Sequence, residues 1–138
     1  MTTPATDGVN VVDIGADSDV VRVRQLVRDL SLAAKLSLVD QTKLVTATSE
    51  LARNTLVYGG GGEATVQIVE RGDLTGVEVI FADKGPGIDD VDLALTDGWT
   101  SGSGMGLGLS GAKRLVDEFE LDTAPGEGTR VRVIKWRR

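Results

Sequence analysis

A chain of 138 residues suits one domain with a real core, and 41% hydrophobic composition is ordinary for a globular protein. Lys and Arg number 15 against 21 Asp and Glu, a net charge of −6, which argues against a nucleic-acid partner because such binders carry a basic surplus. Cysteine and histidine are both absent, which removes disulfides, thiolate chemistry and every imidazole role as base, metal ligand or phosphoacceptor. Acid–base work near neutral pH must fall to a carboxylate, Lys or Tyr. The first ten residues contain neither a basic nor an apolar signal segment, and no apolar run approaches membrane-spanning length. A cytoplasmic protein without membrane association is expected.

In chain order, residues 1–8 are small and polar and read as a loose terminus, and Val9–Ile14 reads as a strand. Ser18 is placed to cap a helix to about Leu36, with Val23, Leu26, Val27, Leu30 and Ala34 at helical spacing. Asp40 is placed to cap a second helix to Val57, with Leu44, Ala47, Leu51 and Leu56 toward the core, and Gly59–Gly62 ends it. Two β-patterned stretches follow at Ala64–Glu70 and Val77–Asp83, joined by a turn around Gly72–Gly76. A polar, glycine-rich passage from Lys84 to Gly104 holds a helical turn near Asp90–Leu95. A helix over Met105–Phe119 and strands at Glu120–Thr123 and Thr129–Trp136 complete the chain, with Pro125–Gly128 as the last turn. The pattern predicts a single α+β domain, a two-layer sandwich with helices on one face of a mixed β-sheet.

Three segments carry chemistry. Glu50 and Asn54 stand one turn apart on one face of the second helix, at the edge of its apolar stripe. An Asn oxygen suits Mg²⁺, and the carboxylate suits orienting or deprotonating an attacking hydroxyl. Asp83 ends a strand and precedes Gly85 and Gly87, which let backbone pass close to a flat ligand, so Asp83 is a candidate acceptor for an adenine amino group. The run from Gly102 to Gly108 opens a helix, where unpaired N–H groups and the helix field favour phosphate, and Thr100, Ser101 and Ser103 add hydroxyls. Taken singly, these also read as a polar helix shoulder, a strand-to-turn aspartate and a glycine hinge. Two look-alikes fail. Gly106, Gly108 and Gly111 fit the dinucleotide fingerprint but follow no strand, and Ala112 occupies the lysine position of a P-loop.

The joint order is more specific than its parts. Glu-x-x-x-Asn, then Asp-x-Gly-x-Gly, then Gly-x-Gly-x-Gly-Leu, then Gly-Thr in the last hairpin resembles the GHKL superfamily, whose Bergerat ATP-binding fold is shared by gyrase, Hsp90, histidine kinases and anti-sigma kinases. The resemblance covers Val9 to Trp136. It implies ATP and Mg²⁺ as cofactors, Asn54 as metal ligand, Glu50 as catalytic base, and Asp83 on adenine with Thr129 in support. It also implies that Gly85 and Gly87 shape the adenine pocket, and that the segment Gly102, Ser103, Gly104, Met105, Gly106, Leu107, Gly108 and Leu109 holds the phosphates.

Within the superfamily, Ser49–Asn54, Asp83–Ile88, Gly111–Phe119, Gly126–Thr129 and Ile134–Trp136 resemble the serine/threonine kinases of the stressosome. That likeness implies STAS-domain proteins as substrate and scaffold, and a PP2C-type phosphatase as downstream partner. An anti-sigma factor that sequesters a sigma factor is the alternative, and a non-catalytic nucleotide switch is a third reading. Absence of histidine disfavours a histidine kinase. Between Ile88 and Gly102 there is no Arg or Lys, so cationic help for the phosphoryl group must come from elsewhere, with Lys84 and Lys113 as candidates. Arg24, Arg28 and Lys35 form a basic stripe on the first helix, suited to an acidic partner. Trp99 is expected against the nucleotide site, against a partner or folded back onto its own polar loop, and Asp89, Asp90, Asp92 and Asp97 in solvent.

Overall fold

The computed structural model describes residues 8–88, 90–95 and 108–138. The elements run β1 (Asn10–Ile14), α1 (Asp17–Ala33), α2 (Leu38–Val57), β2 (Gly62–Arg71), β3 (Leu74–Asp83), α3 (Val91–Ala94), α4 (Leu109–Leu115), β4 (Glu118–Thr123) and β5 (Thr129–Trp136). The five strands lie in the order β1-β2-β3-β5-β4. The expected two-layer sandwich is present, but its sheet is not mixed: every described pairing is antiparallel. The reason is topological. β3 and β4 point the same way, yet the β4–β5 hairpin folds β5 back between them, so the parallel pair never forms.

Period-two burial aims one sheet face at the helices through Val12 and Ile14, Ala64 and Val66, Val77, Val79 and Phe81, then Val131 and Val133. The helices answer at 3.6 spacing with Val20, Val23, Val27 and Leu30 from α1 and Leu44, Ala47 and Leu51 from α2. Each such Val, Leu or Phe contributes about 1.5–3 kcal/mol on full burial. On the other sheet face Glu78 receives Gln67 Nε2 at 2.7 Å and Arg132 Nε at 2.6 Å, so long polar side chains blanket the strands there.

Both helix starts lie earlier than the capping residues predict. Ala16, not Ser18, is the N-cap of α1, because the Asp19 carboxylate reaches back to accept from the N–H groups of Gly15 and Ala16 at 2.9 and 3.0 Å. Ser37, not Asp40, caps α2, its hydroxyl accepting the Asp40 N–H at 3.1 Å. Asp40 is thereby freed to face the buried Lys135, whose Nζ stands 3.6 Å from Asp40 and 3.5 Å from Asp117, tying the start of α2 to β5.

The predicted helix Met105–Phe119 is cut short. Residues 105–107 lie outside the described residues, α4 occupies only Leu109–Leu115, and Val116 is extended. β4 begins at Glu118 because Asp117 commits to the sheet: its N–H donates to the Ile134 carbonyl at 2.9 Å and its carboxylate accepts the Trp136 N–H at 2.7 Å.

Candidate functional site

The register of β3 decides where its terminal aspartate points. Val77, Val79 and Phe81 face the helices, so Asp83, next in that period, faces them too, at the mouth of the core. Beneath it opens a pocket with about 340 Å³ of empty space, part of it open to solvent. Helix α2 walls it with Leu51, Asn54 and Thr55, and its C-cap Tyr58 adds a ring; the sheet supplies Phe81, Asp83, Thr129 and Val131; Ile88 and Leu109 close it. Asn54, Asp83, Leu109 and Thr129, singled out by sequence from four separate regions, therefore meet on one cavity.

Burial pushes the Asp83 carboxyl above the usual aspartate range, while the main-chain N–H groups of Gly85 and Thr129 pull the other way. The Gly85 N–H lies 2.9 Å from Asp83 Oδ1. Gly85 and Gly87 do not wall the pocket; they pack behind it. A Cβ on Gly85 would stand 2.7 Å from Gly59 Cα, and one on Gly59 would stand 2.4 Å from Asp83 Cγ. Two glycines thus let the end of α2 and the Asp83 loop press backbone to backbone. The Gly87 carbonyl accepts the Tyr58 hydroxyl at 3.3 Å, fixing that ring on the pocket wall.

Glu50 is exposed and stands beside the pocket, at the N-terminus of α4. A Cβ on Gly108, the N-cap of α4, would lie 2.5 Å from Glu50 Oε2, so the carboxylate rests against that turn. Thr100, Ser101, Gly102, Ser103, Gly104, Met105, Gly106 and Leu107 lie outside the described residues, as do Asp89, Asp97 and Trp99. Asp90 and Asp92 are exposed, and so are Arg24, Arg28, Lys35, Lys84 and Lys113. Sequence reasoning missed Tyr58, Ile88 and Thr123. Tyr58 was accessible to it, standing one turn beyond Asn54 as the C-cap of that helix.

The last hairpin carries a prediction of its own. Gly128 has φ +83°, and a Cβ there would meet the Asp83 carbonyl at 2.2 Å. Gly126 has φ +77° with nothing within 4 Å of its Cβ position. Gly126→Ala should cost about 1–2 kcal/mol from left-handed strain alone, and Gly128→Ala a further 1–3 kcal/mol or so from overpacking. Urea midpoints of the two variants check the order.

A helix pair over an open antiparallel sheet, with an acid, an amide and a threonine converging at its rim, defines an ATPase-type nucleotide fold. Residues 39–138 match the family described as histidine kinase-, DNA gyrase B-, and HSP90-like ATPase, and the chain belongs to that family, the GHKL group of the sequence resemblance. Serine/threonine-protein kinase RsbT of Bacillus subtilis (strain 168) is 43% identical over 128 residues, covering 92% of this chain and 96% of RsbT. An anti-sigma F factor of Thermoanaerobacter sp. (strain X514) is 32% identical over 97 residues, or 66% of each chain. Among solved structures, the RsbU and RsbW domains of Rv1364c from Mycobacterium tuberculosis superpose with a TM-score of 0.61 at 20% identity, over 95% of this chain and 33% of that one. The mycobacterial sensor histidine kinase MprB gives 0.54 at 18% identity, over 95% and 99%. Both structural likenesses speak to the fold alone. Among the described residues no helix is long and apolar enough to cross a membrane.

Proposed function

We propose that this chain is an ATP- and Mg²⁺-dependent protein serine/threonine kinase of a bacterial partner-switching stress pathway. It phosphorylates STAS-domain scaffold proteins and, once released from them, binds and activates a PP2C-type phosphatase. The observation that carries the chemistry is the meeting of Asn54, Asp83 and Thr129 on one pocket, with Glu50 one helical turn from Asn54 at the start of α4. Near-full-length likeness to RsbT supports the substrate class.

The donor set fits the metal. Asn54 brings an amide to the pocket wall, and Mg²⁺ takes oxygen ligands and draws most of them from phosphate and water. Asn54 would hold it through its amide oxygen. When bound, Mg²⁺ neutralises phosphate charge. Asp83 accepts from the adenine amino group, and the α4 start, with Gly108 and Leu109, faces the phosphates. Glu50 takes the proton of the substrate hydroxyl as its oxygen bonds to the γ-phosphorus and the bond to the ADP oxygen breaks. Such transfer needs mainly positioning and charge stabilisation.

Labelled ATP, Mg²⁺ and candidate STAS proteins test the reading. The wild type transfers label to a serine or threonine, and Asn54→Ala loses at least about 10²-fold of that rate. A wild type that binds ATP and partners but transfers nothing would be a switch and not an enzyme. The likeness to anti-sigma F factors favours a second reading, an anti-sigma kinase that sequesters a sigma factor, and pull-down against sigma factors and STAS proteins separates the two. The exposed cations Arg24 and Arg28 give an acidic partner a face on α1, while Lys35, expected in the same stripe, stands past the end of that helix at φ +64°.

A further inference from the structure

We infer that Thr123, which stands behind the pocket wall, aims the Thr129 hydroxyl and thereby sets which purine edge the pocket accepts. The inference rests on the nucleotide reading above and deepens it. Thr123 Oγ1 touches three groups. The Ile88 N–H donates to it at 3.0 Å, the Gly128 carbonyl lies 3.0 Å away as an acceptor, and Thr129 Oγ1 lies at 2.9 Å. A hydroxyl has one proton and two lone pairs. Ile88 occupies one lone pair. The carbonyl of the buried Gly128 takes the proton, since a buried acceptor needs a partner. Only a lone pair remains for Thr129, whose own O–H must therefore donate to Thr123.

The consequence reaches the ligand. Thr129 and Thr123 face each other across the β4–β5 pairing, and Thr129 and Asp83 across the β3–β5 pairing. With its proton turned toward β4, Thr129 offers the pocket lone pairs, as does the Asp83 carboxylate beside it. This wall presents acceptors and no hydroxyl donor. A purine with an exocyclic amino group supplies donors there; a purine with a carbonyl at that place meets acceptors and is rejected. Remove the Thr123 hydroxyl and the Thr129 rotor is free to turn its proton into the pocket, where it can serve the carbonyl purine. Thr123 is thus a positioning residue acting through Thr129.

Dissociation constants for ATP and for inosine triphosphate, measured by competition with a fluorescent ATP analogue on the full chain, test this. Thr123→Val weakens ATP by about tenfold and inosine triphosphate by less, so the preference ratio falls; Thr123→Ser keeps both constants near wild type. A ratio unchanged in Thr123→Val, with both nucleotides weakened equally, overturns the inference. Thr129→Val carries the test should Thr123→Val not fold: the ratio falls there too, and a retained ratio again overturns it. Asp83→Asn separates the layers. If it lowers the ratio while the threonine variants do not, only the Thr123 assignment falls; if it also leaves the ratio intact, the adenine reading falls with it.

Discussion

Glu50→Gln lowers phosphoryl transfer by about 10²–10⁴-fold, the range for loss of a general base. The substitution keeps the shape of the side chain and its contact with Gly108 but removes the proton acceptor. Glu50 is exposed and lies off the pocket wall, so ATP binding stays within about twofold. The exposed position on α2 also keeps the fold out of the comparison, since a polar isostere there disturbs no packing. Single-turnover transfer from labelled ATP to a STAS protein reads the rate, and a fluorescent nucleotide titration reads the affinity. Transfer within a few-fold of wild type would remove Glu50 from the chemistry and leave its place beside α4 without a catalytic purpose.

Asp83→Asn acts on the other half of the split. A hydrogen bond to a charged acceptor contributes about 1.5–3 kcal/mol, so ATP affinity falls by roughly 10–150-fold. The amide oxygen can still receive the Gly85 N–H, which keeps the turn intact. The carboxyl is raised by burial, and two signs follow. As pH falls through its folded-state pKa the carboxylate takes a proton and loses acceptor capacity, so ATP affinity falls, beginning at a higher pH than for an ordinary aspartate. Stability of the nucleotide-free protein runs oppositely. The folded state holds the proton more tightly than the unfolded state, so the contribution of Asp83 is fully present below the unfolded pKa and is lost as pH rises through the folded pKa. At neutral pH the free protein carries a desolvated charge, and Asp83→Asn should raise its urea midpoint while weakening ATP. A variant that binds ATP as wild type does would take Asp83 out of the adenine pocket.

That opposition shows why the site was partly legible. A carboxylate at the end of an apolar strand period is locally unfavourable, and such a conflict with the burial pattern stands out in a linear reading. Asn54 was visible for a similar reason, at the edge of an otherwise apolar helix stripe. Gly85 and Gly87 were visible by composition; in the fold they let backbones touch, at Gly59 and Ala124, while Ile88 and Tyr58 line the wall. The caps at Ala16 and Ser37 were missed because any Ser or Asp near a helix start fits the rule, and only the hydrogen bonds of Asp19 and Ser37 show which one acts. The end of α4 was misplaced because residues 116–119 carry no glycine or proline, and pairing of Asp117 with β5 overrode the helical pattern.

The amino-acid order alone determined the elements of local period: both long helices, the β2–β3 hairpin, the closing hairpin, and the residue types able to handle a nucleotide. These depend on neighbours within a turn or a strand, where 3.6 and 2.0 spacing decide which side chains share a face. Only the tertiary structure decided that β5 lies between β3 and β4, which sets Thr129 opposite Asp83 and Thr123 behind Thr129. Strand order comes from burying one continuous apolar face against two helices. That is a property of the whole chain at once, and a local pattern does not contain it.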